Sequence, residues 1–183
     1  ITSSKAFGVR IAGHLFYVLN LTTKTLVFCV DEGVWHEWST NSDGSHTKFA
    51  YSYATDSLIG KPVLQHDTDG KTYKLDTTAY KDEAVDILAE LITAKLDFGN
   101  INRKFMYSMN LVGDTTATTS NITFRWSDDD YKSWSNWKTI DLVTRPYFMK
   151  LGVFRRRAFH FKYTNNFPLR LEAIEVYINK GID

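Results

Sequence analysis

The chain has 183 residues, a formal net charge of +1, 43% hydrophobic residues and 15% aromatic residues. This apolar content excludes a disordered chain and predicts a packed core, in one domain or two small ones. The single cysteine, Cys29, excludes an intrachain disulfide framework and a zinc site built from several cysteines, and the near-zero charge gives no global reason to bind nucleic acid.

The chain opens on Ile1 rather than on a methionine, and no signal peptide follows. Its longest apolar run, 26–30, is far shorter than the roughly 20 residues of a membrane helix. We therefore expect a piece of a longer chain, or a product of processing, with no membrane partner.

The first third of the chain predicts β-strands. His14–Asn20 and Thr25–Asp31 are β-branched and aromatic runs joined by a short polar connection, which predicts a hairpin. Both runs are nearly all apolar, so we expect both of their faces to be covered. A second hairpin is predicted for Pro62–Asp67 and Lys71–Asp76, with an Asp-Gly step in its turn.

Residues 84–96 fit two patterns. The apolar positions recur at helical spacing, and the composition favours a helix. An extended conformation also fits, because Leu88, Ile92 and Leu96 would share one face of a strand. Both alternatives stay open at the level of sequence.

The last third is strongly β. Asn121–Ser127 alternates cleanly, with Ile122, Phe124 and Trp126 directed inward, and Lys104–Val112 is the expected partner strand. The apolar phase shifts by one residue near Ala173, which predicts a β-bulge. The sequence therefore predicts an all-β protein of antiparallel strands.

The most specific local pattern is the eight-residue segment 127–134, SDDDYKSW. It resembles the Asp-box of sialidase-type propellers, a structural turn in which Ser127, Asp129 and Trp134 stand at the motif positions. A carboxylate such as that of Asp129 accepts hydrogen bonds from backbone N–H groups, and the Trp134 ring packs beneath the turn. Tyr131 stands where the Asp-box usually has glycine, which puts the tight turn geometry in question.

A basic segment follows this turn. No Asp or Glu interrupts it between residues 145 and 170. Its seven cations are Arg145, Lys150, Arg155, Arg156, Arg157, Lys162 and Arg170. We identify Arg155, Arg156, Arg157 and Lys162 as candidates for contact with DNA or a neighbouring subunit. The alternative is that the arginines pair with the acidic turn at 127–130, or with acids of another subunit.

No enzyme motif accompanies these features. The histidines lie far apart in sequence, no nucleophile elbow or phosphate-binding glycine loop is present, and Cys29 lies within an apolar strand. The acids at 128–130 lack the spacing of a calcium-binding EF-hand loop. We therefore predict a protein that is not an enzyme, with no catalytic residues, no metal and no cofactor.

A series of short motifs along the chain resembles the packaged-DNA stabilization proteins, which are the tail-hub or nozzle components of short-tailed bacteriophages. The resemblance covers most of residues 14–181 and depends on the order and spacing of the motifs. These motifs are Gly33–Ser39 (GVWHEWS), Thr72–Asp76 (TYKLD), Arg125–Asp129 (RWSDD), Lys150–Gly152 (KLG), Arg155–Phe159 (RRRAF), Leu171–Glu175 (LEAIE) and Gly181.

The resemblance implies a structural virion protein of the phage tail, assembled in the host cytoplasm. It implies β-propeller blade strands in residues 1–76 and an antiparallel β-sandwich-like region in residues 77–183, with an alternative boundary near residue 100. The subunit would form a homo-oligomeric ring of six that closes the portal channel and retains packaged double-stranded DNA. Its other implied partners are the portal, the head–tail adaptor, the tailspike and the tail needle.

Two other hypotheses remain. The Asp-box-like turn and the five tryptophans also fit a carbohydrate-binding or glycosidase-related β module, because exposed aromatic rings stack on sugars. The third hypothesis is an adhesin-like module of the tail.

Overall fold

The computed structural model of the protein describes residues 4–42, 45–56, 60–82, 84–114 and 120–181. These residues form only β-strands, turns and loops, and their strands pair antiparallel, as predicted. No helix long and apolar enough to cross a membrane occurs among them. The chain divides into two compact units, Ile1–Ile87 and Leu88–Asp183. The predicted domain boundary at 76/77, with its alternative near residue 100, stays a prediction.

The described residues of unit 1 form ten strands, and each of their sheets joins strands that are consecutive in sequence. A five-stranded sheet has the order β1-β2-β3-β4-β5, a three-stranded sheet has the order β6-β7-β8, and β9 pairs with β10. The strands are β1 (Lys5–Ile11), β2 (His14–Asn20), β3 (Thr25–Cys29), β4 (Val34–Ser42), β5 (Ser45–Lys48), β6 (Tyr51–Asp56), β7 (Pro62–His66), β8 (Thr72–Lys74), β9 (Lys81–Asp82) and β10 (Val85–Asp86).

Both hairpins predicted for this half are confirmed, as β2 with β3 and as β7 with β8. The core of unit 1 is small and is shared by the two larger sheets; its buried side chains are Phe7, Val9, Val18, Val27, Tyr51 and Leu64. A buried amide joins the sheets, because Asn20 Nδ2 donates to the carbonyl of Tyr51 at 2.8 Å.

One prediction for this half is wrong. The apolar β2–β3 hairpin has one buried face, whereas Leu15 and Tyr17 are exposed on the other. The run of apolar residues arises because large side chains also occupy the outer face, where Phe28 and Trp35 contact each other with ring centroids 5.1 Å apart.

In the part of unit 2 that the structure describes, seven strands form two sheets. A four-stranded sheet has the order β11-β16-β13-β14, and a three-stranded sheet has the order β15-β12-β17. The strands are β11 (Ala89–Ile92), β12 (Lys104–Gly113), β13 (Asn121–Ser127), β14 (Lys138–Asp141), β15 (Tyr147–Phe154), β16 (Ala158–Tyr163) and β17 (Leu171–Lys180). Residues 84–96 are thus extended rather than helical where they form regular structure.

Both sheets contribute to one core. Met106, Met109 and Leu151 come from the three-stranded sheet, and the inward residues of β13, Ile122 and Phe124, come from the other. The inward direction predicted for Ile122 and Phe124 is confirmed by their burial. The two sheets therefore bury a common apolar layer, which is much larger than the core of unit 1.

The predicted pairing of β12 with β13 is wrong. β12 pairs with β15 and β17, and β13 pairs with β14 and β16, so the two strands belong to different sheets. The predicted bulge near Ala173 is confirmed. Val112 pairs with Ala173 whereas Gly113 pairs with Leu171, so Glu172 is the extra residue.

The sheets of the described residues are open, with no closed barrel or propeller among them. The all-β, antiparallel class is therefore established, and the propeller assignment of residues 1–76 stays a prediction.

Candidate functional site

The acidic turn after β13 is organised by the carboxylate of Asp129. The Ser127 hydroxyl donates to Asp129 Oδ1 at 2.8 Å, the Ser133 backbone N–H donates to the same oxygen at 2.9 Å, and the Ser133 hydroxyl donates to Oδ2. Hydrogen bonds from Ser133, then from Ser127, lower the pKa of Asp129 to about 2. The carboxylate therefore acts as an acceptor that closes the turn.

The turn bends through two residues with positive φ, Asp130 at 62° and Tyr131 at 69°. Tyr131 thus has the left-handed backbone for which the Asp-box pattern uses glycine. The backbone N–H of Tyr131 donates to Ser127 Oγ at 3.0 Å, and its hydroxyl donates to the carbonyl of Thr93 at 3.1 Å. These bonds, together with the contact between the rings of Tyr131 and Trp134, hold a bulky residue in this conformation.

The acids of the turn pair with the arginines that follow β15. Arg157 binds Asp128 through two parallel hydrogen bonds, each of 2.7 Å, and Arg156 Nη2 lies 3.0 Å from Asp130 Oδ2. The alternative in which the arginines pair with the turn of their own chain is therefore confirmed for these two residues. A bidentate guanidinium–carboxylate pair is the strongest geometry for such a contact.

Arg157 is not placed for contact with DNA or another subunit. Its side chain is 1% exposed, and its guanidinium also donates to the carbonyl of Leu151 at 2.7 Å and faces the Phe154 ring at 4.3 Å. Arg156 lies in the exposed bend between β15 and β16, whereas Arg157, which is bridged to Leu96, is buried. Arg156 and Lys162 remain partly accessible, but both are held by acids, Asp130 and Glu90.

Arg155 lies where the chain passes from β15 to β16, which belong to different sheets. Its guanidinium donates to the carbonyl of Ile101 at 3.0 Å. The buried ammonium of Lys104 donates to the carbonyl of Arg155 at 3.0 Å, and to those of Asn100 and Asn102. Lys104 is therefore satisfied by three carbonyl groups, and it fixes the crossover that carries the arginines.

A second group of side chains covers the outer face of the four-stranded sheet. The guanidinium of Arg125 lies between two indole rings, 4.9 Å from the centroid of Trp134 and 4.4 Å from that of Trp137. Lys162 Nζ lies 5.3 Å from the Trp137 ring, which is 38% exposed. We call Arg125, Trp134, Trp137 and Lys162 the aromatic–cation cluster.

His160 connects this cluster to Glu90. Arg125 Nε donates to His160 Nδ1 at 3.2 Å, so Nδ1 is the acceptor and the ring proton lies on Nε2, which is 3.0 Å from Glu90 Oε1. Burial lowers the pKa of His160, although the hydrogen bond to Glu90 opposes this change. Burial would raise the pKa of Glu90, but hydrogen bonds from Lys162 and His160 together lower it. The geometry thus favours a neutral imidazole beside an ionised carboxylate.

An open groove of about 580 Å³ is lined by residues of β13, β14, the β14–β15 turn and the beginning of β15, and Asp141 is its acid. Arg145 and Lys150 are its cations, and the Arg145 guanidinium lies 5.3 Å from the ring of the exposed Tyr147. Neither cation forms a salt bridge with any residue in the described ranges. These two members of the basic segment are therefore open to an anionic partner without loss of an ion pair among the described residues.

Ligand-type side chains converge at one place in unit 1, at the open end of the β2–β3 hairpin. One donor atom from each of His14, Cys29 and Asp31 lies within 4.8 Å of the other two. His14 Nδ1 lies 3.7 Å from Asp31 Oδ2, and Cys29 is buried. A nitrogen, a sulfur and a carboxylate oxygen in this arrangement could hold a transition metal.

Comparison with known proteins adds no family to these observations. No protein-family model matches the chain, and no curated protein matches it. The resemblance to packaged-DNA stabilization proteins therefore depends on the motifs quoted above and stays a prediction.

The structure also brings together residues that the sequence analysis did not select. Arg125, Trp137, His160 and Glu90 join Trp134 and Lys162 on one face of a sheet. The available signal was the second tryptophan, three residues after the Asp-box position, in the segment WSNW. The remaining members come from β11, β13 and β16, and only the strand pairing shows that they are neighbours.

Proposed function

We propose that the chain is part of a structural subunit of the tail hub, or nozzle, of a short-tailed bacteriophage. In this proposal it is not an enzyme; it forms a homo-oligomeric ring, six-fold by resemblance, that closes the portal channel and retains packaged DNA. The propeller-blade assignment of residues 1–76 and the location in the virion tail belong to the same proposal. Its support is the order of the motifs between residues 14 and 181, together with an exposed apolar face and a groove that contains two cations.

The observation that carries the assembly part is the outer face of the three-stranded sheet. Large apolar side chains are exposed there instead of the polar residues that usually cover the solvent side of an antiparallel sheet. A hydrogen-bonded pair, Asn110 and Glu175, lies towards one end of this face. An apolar centre with a polar rim is the composition of a subunit interface. The residues of this apolar face are Phe105, Tyr107, Met149, Val153 and Tyr177.

The assembly part is tested by placing charge on the apolar face. Val153 and Tyr177 are 57% and 59% exposed, so a Val153→Glu, Tyr177→Glu double variant should fold normally. In native mass spectrometry we expect this variant to be monomeric and the wild-type chain to form a ring. Ile101→Glu is the matched control, because Ile101 is 70% exposed in a loop outside the face and the variant should assemble. Rings that persist in the double variant would contradict the role of this face.

The DNA part rests on the groove cations, Arg145 and Lys150. Removing one cation that neutralises a phosphate should reduce the slope of log affinity against log salt by about 0.9, so the Arg145→Ala, Lys150→Ala variant should have a slope smaller by roughly two. The control is Arg156→Ala, because Asp130 already holds that guanidinium. Fluorescence anisotropy with a labelled DNA duplex at several salt concentrations measures both variants. An unchanged slope in the double variant would remove the groove from the proposal.

A second candidate function is carbohydrate binding, which the aromatic–cation cluster favours. Trp137 offers an exposed indole face, and Lys162 and Glu90 provide hydrogen-bonding groups beside it. A glycan array with the 183-residue chain tests this candidate, together with a hydrolysis assay. Binding that is lost in Trp137→Ala and kept in Trp35→Ala, whose side chain is 54% exposed in unit 1, would favour it over the structural role.

A further inference from the structure

The open end of the β2–β3 hairpin brings three side chains of different chemistry to one face. Phe16 pairs with Cys29, so His14, two residues before Phe16, and Asp31, two residues after Cys29, lie on the same side as Cys29. His14 directly follows the tight turn at Ala12 and Gly13, where both residues have positive φ. The backbone thus places an imidazole, a thiol and a carboxylate together without any sequence proximity between His14 and Cys29.

The thiol is the most constrained of the three groups. Cys29 is 1% exposed, and its sulfur makes no hydrogen bond with any of the residues that the structure describes. The carboxylate of Asp31 is also oriented, because Oδ2 accepts a hydrogen bond of 2.8 Å from the backbone N–H of Leu15. A buried sulfur of this kind, directed towards an imidazole and an oriented carboxylate, is arranged as a ligand for a metal ion.

We propose that His14, Cys29 and Asp31 bind one Zn²⁺ ion. Zinc accepts this mixture of sulfur, nitrogen and oxygen ligands, whereas the hard cations Mg²⁺ and Ca²⁺ prefer oxygen alone. Zinc–ligand bonds of roughly 2.0–2.3 Å place tetrahedral ligand atoms about 3.3–3.7 Å apart. The donor atoms lie within 4.8 Å of one another, so closure requires a movement of about 1 Å.

The exposed ligands can make that movement. The side chains of His14 and Asp31 are each half exposed, so their rotation does not disturb the core, whereas Cys29 provides a fixed position. Three protein ligands leave the fourth position of the tetrahedron for water or for a group of another molecule. The ion would join the ends of β2 and β3 beyond their last ladder pair, Phe16 with Cys29, where the backbone N–H of Val30 still donates to the carbonyl of Leu15 at 2.9 Å.

The test uses the reduced, metal-free 183-residue chain and Co²⁺ as a spectroscopic substitute for Zn²⁺. We expect one equivalent of Co²⁺ to bind with a thiolate-to-cobalt charge-transfer band in the near ultraviolet, and Zn²⁺ to displace it. Cys29→Ala should abolish the band. His14→Gln and Asp31→Asn should each weaken binding by at least the roughly 10–100-fold that is typical for loss of an outer-shell partner.

His36→Gln is the control, because His36 lies on the next strand and its Nε2 faces Glu32 Oε2 at 3.9 Å. This variant should bind Co²⁺ as the wild type does. Binding without a thiolate band, binding unchanged in Cys29→Ala, or no binding at all would overturn the proposal. If Cys29→Ala fails to fold, the variants of the two exposed ligands, His14→Gln and Asp31→Asn, provide the test. Wild-type affinity for Co²⁺ in both of them would also overturn the proposal.

Discussion

Each of the two units is stabilised internally by a different kind of contact. Unit 1 joins consecutive strands around a small core, and its ion pairs, such as Lys5 with Asp67, are accessible to solvent. Unit 2 joins strands that are distant in sequence around a larger core, and it buries two cations, Arg157 and Lys104.

This difference separates two ways of making a β structure persist. Closing the short loop of a local hairpin costs little conformational entropy. A modest core is therefore sufficient to stabilise each additional strand. Distant strands must be brought to a fixed register, and a satisfied buried charge specifies that register because misalignment would leave it without partners. We therefore expect the stability of unit 2 to depend strongly on a few polar residues, and the stability of unit 1 to depend less on any single polar residue.

The largest expected effect comes from Arg157→Ala. It removes the partner of Asp128 and empties a buried volume, so it should destabilise unit 2 by about 3–5 kcal/mol. Hydrogen exchange resolved along the chain should show reduced protection in β13 and β16, with unit 1 unchanged. The control Arg156→Ala removes an exposed pair and should cost at most about 1 kcal/mol. Equal effects of the two variants would mean that burial does not distinguish these arginines.

The next effect compares one leucine from each core. Leu151→Ala in unit 2 and Leu64→Ala in unit 1 remove the same atoms from buried positions, and such changes cost about 2–5 kcal/mol. We expect Leu151→Ala to lie towards the upper end, because the larger core can collapse less around the cavity. Denaturant unfolding, followed by exchange in each unit, measures the two costs. A larger cost for Leu64→Ala would reverse the comparison.

Two glycines test whether backbone conformation contributes to the difference. Gly33 in unit 1 and Gly152 in unit 2 have φ of 69° and 81°, and an added Cβ would meet no atom within 4 Å at either position. Replacement by alanine should therefore cost about 1 kcal/mol in both, through backbone strain alone. Thermal unfolding of the two variants checks this. Clearly unequal costs would show that the turn at Gly33 and the strand position of Gly152 contribute differently to the stability of their units.

The smallest effect concerns two aspartates whose pKa values are each lowered to about 2. Both folded values lie below the ordinary 3.8, so each carboxylate contributes stability that is present above about pH 4 and is lost as the pH falls towards 2. Asp67 is lowered mainly by Lys5 and Asp129 mainly by Ser133, so 1 M salt should raise the pKa of Asp67 more. NMR titration of both carboxyl groups at low and high salt measures this, and equal shifts would contradict it.

The sequence predicted what depends on neighbours along the chain. Both hairpins of unit 1 followed from apolar runs and a nearby turn, and the bulge at Glu172 followed from a shift of phase within one strand. The pairing of β12 was predicted wrongly, because its partner β17 begins 58 residues after β12 ends, and no local pattern specifies such a partner.

The candidate sites were predictable to the same limited degree. The turn at 127–134 was visible as a motif, but the burial of Arg157 depends on how the connection from β15 to β16 packs against the core. His14 and Cys29 are 15 residues apart, and only the β2–β3 register places them together. The spacing of residues in the sequence therefore does not predict sites that form only through strand register.

The most direct test of the proposed function is electron microscopy of the purified protein beside the Val153→Glu, Tyr177→Glu variant. We expect closed rings with a central channel for the wild type, six-fold by resemblance, and separate subunits for the variant. A wild-type protein that stays monomeric at every concentration, or a variant that still forms closed rings, would contradict the proposed assembly.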